Sequence, residues 1–168
     1  WNSRISLKIK VFFWQLFRNR LPTSANVAKR NGPCAICNTA EDANHVFFRC
    51  PLARFAWSAV RAAVNTSWDP HSAADRVAIV DSVQGANKRV LWSCLGALAW
   101  AIWLTRNKLA IEGIFLSHPA NIIYKCNILL QQWSPLARCK DAERMKQAQD
   151  RLRQVYLLAR EPTATPTS

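Results

Sequence analysis

Hydrophobic residues recur at spacings of three and four along most of this 168-residue chain, a pattern typical of amphipathic helices. The first helix is expected from a capping Ser6 to about Asn19. Its apolar stripe consists of Ile9, Phe12, Phe13, Leu16 and Phe17. A short second helix is expected from Thr23 to Arg30, and a third begins at Pro51 and extends to about residue 64. The residues between the second and third predicted helices, 31–50, form one irregular stretch.

The second half of the chain carries the strongest helical pattern. A short helix is expected at 75–83, and a long one from Lys88 to about Phe115 is apolar nearly all round at its centre. Residues 90–105 carry no charge, but this run is shorter than the roughly 20 residues that cross a bilayer, so a buried bundle helix is predicted rather than a membrane span. Further helices are expected at 119–133 and 141–160.

The irregular stretch contains Cys34, Cys37, His45 and Cys50 in the spacing Cys-x2-Cys-x7-His-x4-Cys. Three thiolates and one imidazole at such spacing are typical of a tetrahedral zinc site, and a short helix ending at Cys50 would aim the last two side chains inward. Four protein ligands leave no open position for water or substrate. We therefore predict one structural Zn²⁺.

Two other interpretations of the cysteines are open. Cysteines are often simply small buried hydrophobic residues, and a disulfide framework is the other alternative. Cys94, Cys126 and Cys139 show no matching spacing and are expected to be reduced thiols on helix faces. The residues from Trp1 onward resemble no signal sequence, so an intracellular, reducing compartment is expected.

The predicted organisation is mainly α-helical, with a small CCHC zinc-braced module followed by a helical bundle. Turn-forming residues at 65–70 and the sequence Gly85-Ala86-Asn87 mark the expected breaks. The zinc module is assigned to residues 1–64, a linker with a short helix to 65–87, the helical region to 88–160 and a disordered tail to 161–168.

The formal net charge is +13, and no acidic residue precedes Glu41. Seven basic side chains occur among residues 1–40, a surplus that favours a polyanion such as RNA or DNA as partner through release of counterions. Several of these cations lie near predicted helix C-termini, where they would also complement the helix dipole without any ligand.

Several motifs occur in register around the metal ligands: Lys8-Ile9-Lys10-Val11-Phe12-Phe13-Trp14, Arg20-Leu21-Pro22-Thr23 and Cys50-Pro51-Leu52-Ala53-Arg54. Together with the Cys-Cys-His-Cys set and Trp57, they resemble the reverse transcriptase zinc-binding domain of plant LINE-type (non-LTR) retrotransposon polyproteins. A weaker similarity to the helical region downstream in those elements comes from Trp100-x2-Trp103-x2-Arg106-Asn107.

The resemblance implies a non-catalytic accessory module that helps the polymerase part of the same polyprotein to hold element RNA or target DNA. The endonuclease and polymerase would lie upstream, and integration of such an element takes place in the nucleus. Two-metal nucleic-acid enzymes need clustered carboxylates, whereas the only acids adjacent in sequence are Glu41 and Asp42. No enzymatic activity, small-molecule substrate or membrane partner is expected.

The retroviral zinc knuckle has four residues between its second cysteine and its histidine, whereas this chain has seven, so the base-binding mode of the knuckle does not carry over. A zinc-braced turn could still present cations to phosphates, with an exposed aromatic residue such as Phe47 or Phe48 stacking on a base, although Phe47, Phe48, Trp14 and Trp57 are all more typical of a core. The phosphate-contacting candidates are Lys8, Lys10, Arg18, Arg20, Lys29, Arg30, Arg49 and Arg54.

Two other functions are open. In one, the zinc-braced module is structural and docks on the polymerase through tryptophans and leucines, and its charge serves solubility. In the other, the chain is a non-functional remnant of an element.

Overall fold

The computed structural model of the protein describes residues 7–24, 32–66, 69–72, 75 and 85–161. Over these residues the chain forms helices joined by turns and loops, with no β-strand. The prediction of a mainly α-helical protein with a cysteine- and histidine-containing module before a helical bundle is confirmed. Most of the short helix predicted at 23–30, most of that predicted at 75–83, and all of the predicted tail except Glu161 lie outside the described residues.

The helices agree with the hydrophobic pattern to within a few residues. Their bounds are α1 Leu7–Phe17, a π-helical turn His45–Arg49, α2 Pro51–Val64, α3 Gly85–Glu112, α4 Asn121–Trp133, a 3₁₀ turn Ser134–Leu136 and α5 Cys139–Arg160. The sequence Gly85-Ala86-Asn87, predicted as a break, instead starts α3. The proposed division of the chain at residues 64, 87 and 160 stays a prediction.

Left-handed residues end three of the helices. Asn19 follows α1 at φ 50°, and Asn65 follows α2 at φ 54° with its N–H donating to the carbonyl of Arg61. Gly113 ends α3 at φ 67°. Asparagine and glycine adopt this conformation more readily than other residues, which allows the chain to turn away sharply at each helix end.

The central part of α3 is buried on every side because the other helices surround it. It packs against α2, α4, α5 and the π-helical turn, and Leu95, Leu98 and Ala101 are fully buried. Gly96 allows close approach: a Cβ at this position would lie 3.3 Å from the ring of Phe13 and 3.4 Å from that of Trp133. Burial on all sides explains why α3 has no polar face at its centre.

An aromatic cluster joins α1 and the π-helical turn to α3. It consists of Phe12, Phe13, Phe47, Trp100 and Trp103. Phe12 lies at its centre, with its ring centroid 4.9 Å from that of Trp100 in an edge-on arrangement and 5.9 Å from that of Phe47. Edge-on and tilted pairs of this kind are favourable because of the ring quadrupoles. The part of the chain that carries the cysteines is thus packed directly on the bundle.

Among the helices that the structure describes, none combines the length and the apolar character needed to cross a lipid bilayer.

We predict that Phe12→Ala lowers the free energy of unfolding by about 3 to 5 kcal/mol, because it leaves a cavity among packed aromatic rings. Val11→Ala is the matched control, since Val11 is the adjacent residue on α1 and is exposed, and its effect should stay below about 1 kcal/mol. Urea denaturation followed by circular dichroism measures both values. Equal losses for the two variants would contradict the central position of Phe12.

Candidate metal centre

The first two sulfur ligands lie on one tight turn. The backbone N–H of Cys34 donates to the carbonyl of Thr39 at 2.8 Å, and the N–H of Asn38 donates back to the carbonyl of Cys34 at 2.8 Å. Asn38 adopts a left-handed conformation at φ 59°, which closes the turn directly after Cys37. The turn therefore presents both thiols on the same side without any regular secondary structure.

The π-helical turn positions the other two ligands. In an α-helix, residues five apart such as His45 and Cys50 would differ by about 140° around the axis. The wider π geometry reduces this angle, and its signature is the hydrogen bond from the N–H of Cys50 to the carbonyl of His45, at 2.8 Å. This local departure from α-helical geometry brings the imidazole and the thiol to one side. Pro51 then starts α2 immediately afterwards.

The four side chains Cys34, Cys37, His45 and Cys50 converge. Their ligand atoms all lie within 4.8 Å of one another, with 3.9 Å between the Sγ atoms of Cys34 and Cys50 and 3.2 Å between the Sγ of Cys37 and the Nε2 of His45. Bond lengths of about 2.3 Å to sulfur and about 2.0 Å to nitrogen in a tetrahedron imply separations of roughly 3.5 to 3.8 Å. The donor set and its spacing therefore suit one zinc ion.

The two buried thiols, Cys34 and Cys50, lie within hydrogen-bond distance of each other. The hydrogen bond with Cys50, against the opposing effect of burial and with help from the backbone N–H groups of Ile36 and Cys37, holds the pKa of Cys34 well below that of an ordinary thiol. The same hydrogen bond, together with burial, raises the pKa of Cys50. Since zinc coordinates thiolates, metal binding at this pair releases protons and weakens as the pH falls.

Two residues that the sequence patterns did not single out support the ligands. The Thr39 hydroxyl lies 3.1 Å from the Sγ of Cys37 and 3.3 Å from the Nδ1 of His45. The Asp42 carboxylate accepts a hydrogen bond from the backbone N–H of His45 and two from Arg49, at 2.8 and 2.9 Å. Burial opposes ionisation of Asp42, but these bonds outweigh it, so its pKa lies below the usual value. Asp42 therefore holds the start of the π-helical turn.

A buried ion pair connects the loop between the two ligand pairs to α3. The Glu41 carboxylate accepts hydrogen bonds from both Nε and Nη2 of Arg106, and the two side chains are only 5% and 7% exposed. Ser24 donates to the same carboxylate from its N–H at 3.2 Å and its hydroxyl at 3.0 Å, and Arg106 also donates to the carbonyl of Pro22. Burial alone would raise the pKa of Glu41, but the bonds and charge of Arg106 outweigh it and lower the pKa.

Two features of the sequence are related to this ion pair, although the spacing of hydrophobic and metal-ligating residues did not point to them. Glu41 and Asp42 are the first acids of a basic chain, and Arg106 is the first charge after sixteen uncharged residues. A charge at the edge of an apolar run often needs a buried partner. The sequence does not show that Glu41 is the partner of Arg106, because the two residues are 65 positions apart and meet only in the folded protein.

The described candidates for phosphate contact lie beside different partners. Lys8 places its Nζ 5.5 Å from the Trp100 ring centroid, while Arg49 is paired with Asp42 and Arg54 lies 3.8 Å from Asp69. Arg18 and Arg20 are brought together at Trp14, and Lys10 lies on α1. Lys29 and Arg30 lie outside the described residues. The phosphate contacts of all eight residues stay predictions.

Three of the four aromatic candidates are buried and one is exposed. Phe47 and Phe48 are 1% and 2% exposed, so the prediction that one of them stacks on a base is wrong: both are core residues of the π-helical turn. Trp57 is buried as expected, with its indole N–H donating to the carbonyl of Phe47. Trp14, expected in the core, is 46% exposed.

None of the six cysteines forms a disulfide in the structure, and Cys94 and Cys126 are fully buried in the bundle. Burial raises the pKa of Cys94 to about 12. These two thiols are therefore protonated core residues, separate from the metal ligands.

Comparison with known protein families also assigns zinc binding to the N-terminal part of the chain. Residues 1–57 match the model of a protein family described as zinc-binding in reverse transcriptase, which covers about a third of the chain and includes all four converging side chains. The resemblance noted in the sequence is confirmed at the level of this family, whose domain is an accessory zinc-binding region rather than the catalytic one. No curated protein and no solved structure matches the chain.

We predict that Cys34→Ser abolishes binding of the zinc ion and removes amide-exchange protection across residues 43–50. The reason is that structural zinc contributes roughly 10 to 16 kcal/mol of apparent binding free energy in small peptides. Elemental analysis and hydrogen exchange measure the two effects. Cys139→Ser, at an exposed cysteine on α5, should change neither. Full zinc content and unchanged exchange in Cys34→Ser would contradict the assigned ligand set.

We predict that Arg106→Met lowers the free energy of unfolding by about 3 to 5 kcal/mol, because Glu41 is then buried without its partner. Adding Glu41→Gln should recover part of this loss, and Lys108→Met, at an exposed cation on the same helix, should have little effect. Denaturant titrations of the four proteins provide the comparison. A double variant no more stable than Arg106→Met would show that the two charges do not depend on each other.

The ion pair also predicts a pH dependence. Because the pKa of Glu41 is lower in the folded protein than its ordinary value of 4.5, its contribution is complete above that value and is lost as the pH falls through the folded pKa. In Arg106→Met burial acts on Glu41 without the opposing arginine, so the pKa of Glu41 in the folded variant should lie above 4.5, and the variant should regain stability as the pH falls through that raised pKa. The stability difference between the zinc-loaded wild type and Arg106→Met should therefore shrink as the pH falls. A difference that stays constant from pH 7 down to about pH 4 would contradict the ion pair.

Proposed function

We propose that this protein is a non-catalytic, zinc-braced accessory module of a LINE-type plant retrotransposon reverse transcriptase, and that it holds element RNA or target DNA for the polymerase part of the same polyprotein. The observation that carries the proposal is the convergence of four ligands inside the segment that matches a zinc-binding family of reverse transcriptases. The nucleus, where an element of this kind integrates, is the proposed place of action.

The charge of the module supports a nucleic-acid partner. Residues 1–64 contain ten basic side chains and only two acidic ones, Glu41 and Asp42. Both acids already have a partner, Glu41 in the buried pair with Arg106 and Asp42 in an exposed pair with Arg49. Neither acid is therefore free to neutralise the cations of α1. A surface of this kind favours phosphate binding through counterion release.

The metal would contribute order rather than reactivity. Once bound, a zinc ion with four protein ligands supplies a structural cross-link between the turn at residues 34–37 and the π-helical turn. These elements carry Phe47, which packs on α1 through Phe12. Through this contact the ligand residues help to fix the orientation of α1 and its cations.

Docking onto the polymerase is a second candidate function, and exposed hydrophobic residues favour it. The loop after α3 exposes Ile114 and Phe115 by 52% and 67%, and the end of α5 exposes Leu157 and Leu158 by 52% and 67%. Exposed side chains of this size are typical of protein contact surfaces when they form a patch. The two functions are compatible because the cations of α1 and these residues lie on different elements.

The first experiment measures the affinity of zinc-loaded protein for a fluorescein-labelled RNA by anisotropy across a salt series. We predict that Lys8→Gln with Lys10→Gln weakens binding and lowers the slope of log affinity against log salt by up to about 1.4 to 1.8, because one phosphate contact contributes about 0.7 to 0.9. The control is Lys140→Gln with Lys146→Gln, which removes the same charge from exposed positions on α5.

Equal effects of the two double variants would show that only total charge matters and would contradict a binding surface on α1. Absence of RNA and DNA binding by folded, zinc-loaded protein at low salt would refute the nucleic-acid function. Docking would then be tested by binding to the polymerase region with Phe115→Ser and Leu158→Ser.

A further inference from the structure

Trp14 is exposed although its helix has a well-filled core face. On α1 the residues Ile9, Phe12, Phe13 and Leu16 are buried, while Trp14 remains 46% exposed. Leaving much of an indole ring in water forgoes the favourable free energy of burying it. An exposed side chain of this size on the outer face of a helix is a candidate for a ligand-binding surface.

Two arginines approach the same ring because of the way α1 ends. The guanidinium carbon of Arg18 lies 5.9 Å from the Trp14 ring centroid, and that of Arg20 lies 5.6 Å from it. Arg18 is four residues after Trp14, one turn along the helix, but in a continuous helix Arg20 would lie about 120° away around the axis. Asn19, at φ 50°, reverses the chain so that the N–H of Arg20 donates to the carbonyl of Gln15 at 2.8 Å. The left-handed residue therefore brings both cations to one ring.

Neither arginine has an acidic partner among the residues that the structure describes. The salt bridges found there involve other arginines, and the two acids of the module are bonded to Arg49 and Arg106. Arg18, Arg20 and Trp14 are all exposed. This group, which we term the Trp14 platform, thus combines a flat aromatic surface with two positive charges on the outside of α1.

Resting on the proposed nucleic-acid function, we propose that the Trp14 platform binds single-stranded RNA or DNA, with an unpaired base stacking on the indole and the adjacent phosphates contacting Arg18 and Arg20. Aromatic stacking with flanking cations is the usual basis of sequence-tolerant binding to single strands. In a duplex the base faces are covered by neighbouring pairs, so the indole gains nothing there. The platform therefore confers a preference for unpaired nucleic acid, and for neither base nor sugar in particular.

Charge distinguishes this occupant from a hydrophobic protein segment. An apolar partner would leave two guanidinium groups desolvated beside the ring without compensating anions, which is costly. A phosphodiester strand supplies those anions at regular spacing and supplies planar rings between them. The platform therefore fits a single strand better than an apolar helix.

The test compares binding of a labelled twelve-nucleotide single-stranded RNA with binding of a duplex of the same length. Trp14→Ala is expected to weaken single-strand binding by about tenfold, the loss of one stacked base, while duplex binding changes by less than about twofold. Trp14→Phe should keep most of the affinity, because a phenyl ring still stacks. The matched control is Tyr124→Ala, which removes another exposed aromatic ring and should leave both affinities unchanged.

A second pair of variants tests the phosphate contacts. Arg18→Gln with Arg20→Gln should lower the salt slope for the single strand by about 1.4, or about 0.7 for each contact. Arg144→Gln with Arg153→Gln removes the same charge from exposed positions on α5 and should lower it by much less. Equal slopes for the two double variants would overturn the assignment of the arginines.

The outcomes separate this inference from the function on which it rests. If the wild-type protein binds neither nucleic acid, the proposed function fails and the platform fails with it. If it binds RNA but Trp14→Ala has no effect, or weakens single-strand and duplex binding equally, the platform is refuted while the proposed function stands. If Trp14→Ala instead weakens only binding to the polymerase region, the platform is a protein-docking site and our inference is wrong.

Discussion

The buried ion pair between Glu41 and Arg106 is the contact that orients the zinc module against the helical bundle. It spans 65 residues of sequence and joins a loop without regular structure to the centre of the molecule. Two charges this deeply buried are tolerated only when each satisfies the other, and here Ser24 and Pro22 complete the hydrogen bonds. The hydrogen bonds of this pair allow only a narrow range of geometries, so the pair holds the loop around Glu41 in one position against α3.

The metal ligands depend on that position. Glu41 and the adjacent Asp42 bond in different directions, the first to α3 and the second to the backbone of the π-helical turn. The loop that links the two ligand pairs is therefore held on both sides by protein contacts in addition to the ligands themselves. The aromatic contacts of Phe12 then relate the same turn to α1.

The helices were predictable from the sequence because their cause is local. Apolar residues three and four apart must share a face, and asparagine, glycine and proline at the ends stop or start the helical hydrogen bonding. The metal ligands were predictable for a related reason: their spacing along the chain already restricts the turn geometry. Trp14 already lay outside the apolar stripe of α1, whereas the burial of Phe47 and Phe48 was not predictable, because the π-helical turn that carries them does not follow α-helical periodicity. Only the bundle determines which of them meets α3.

The sequence by itself determined the helical fold class, the Cys-Cys-His-Cys ligand set and the basic character of the first 64 residues, since each follows from residue types and short-range spacing. Tertiary structure alone decided that Arg106 closes on Glu41, that the π-helical turn buries both of its phenylalanines, and that Arg18 and Arg20 meet at Trp14. The physical reason is that these contacts depend on how distant helices pack and, for the two arginines, on the left-handed turn at Asn19. Hydrophobic periodicity encodes neither the packing nor the turn.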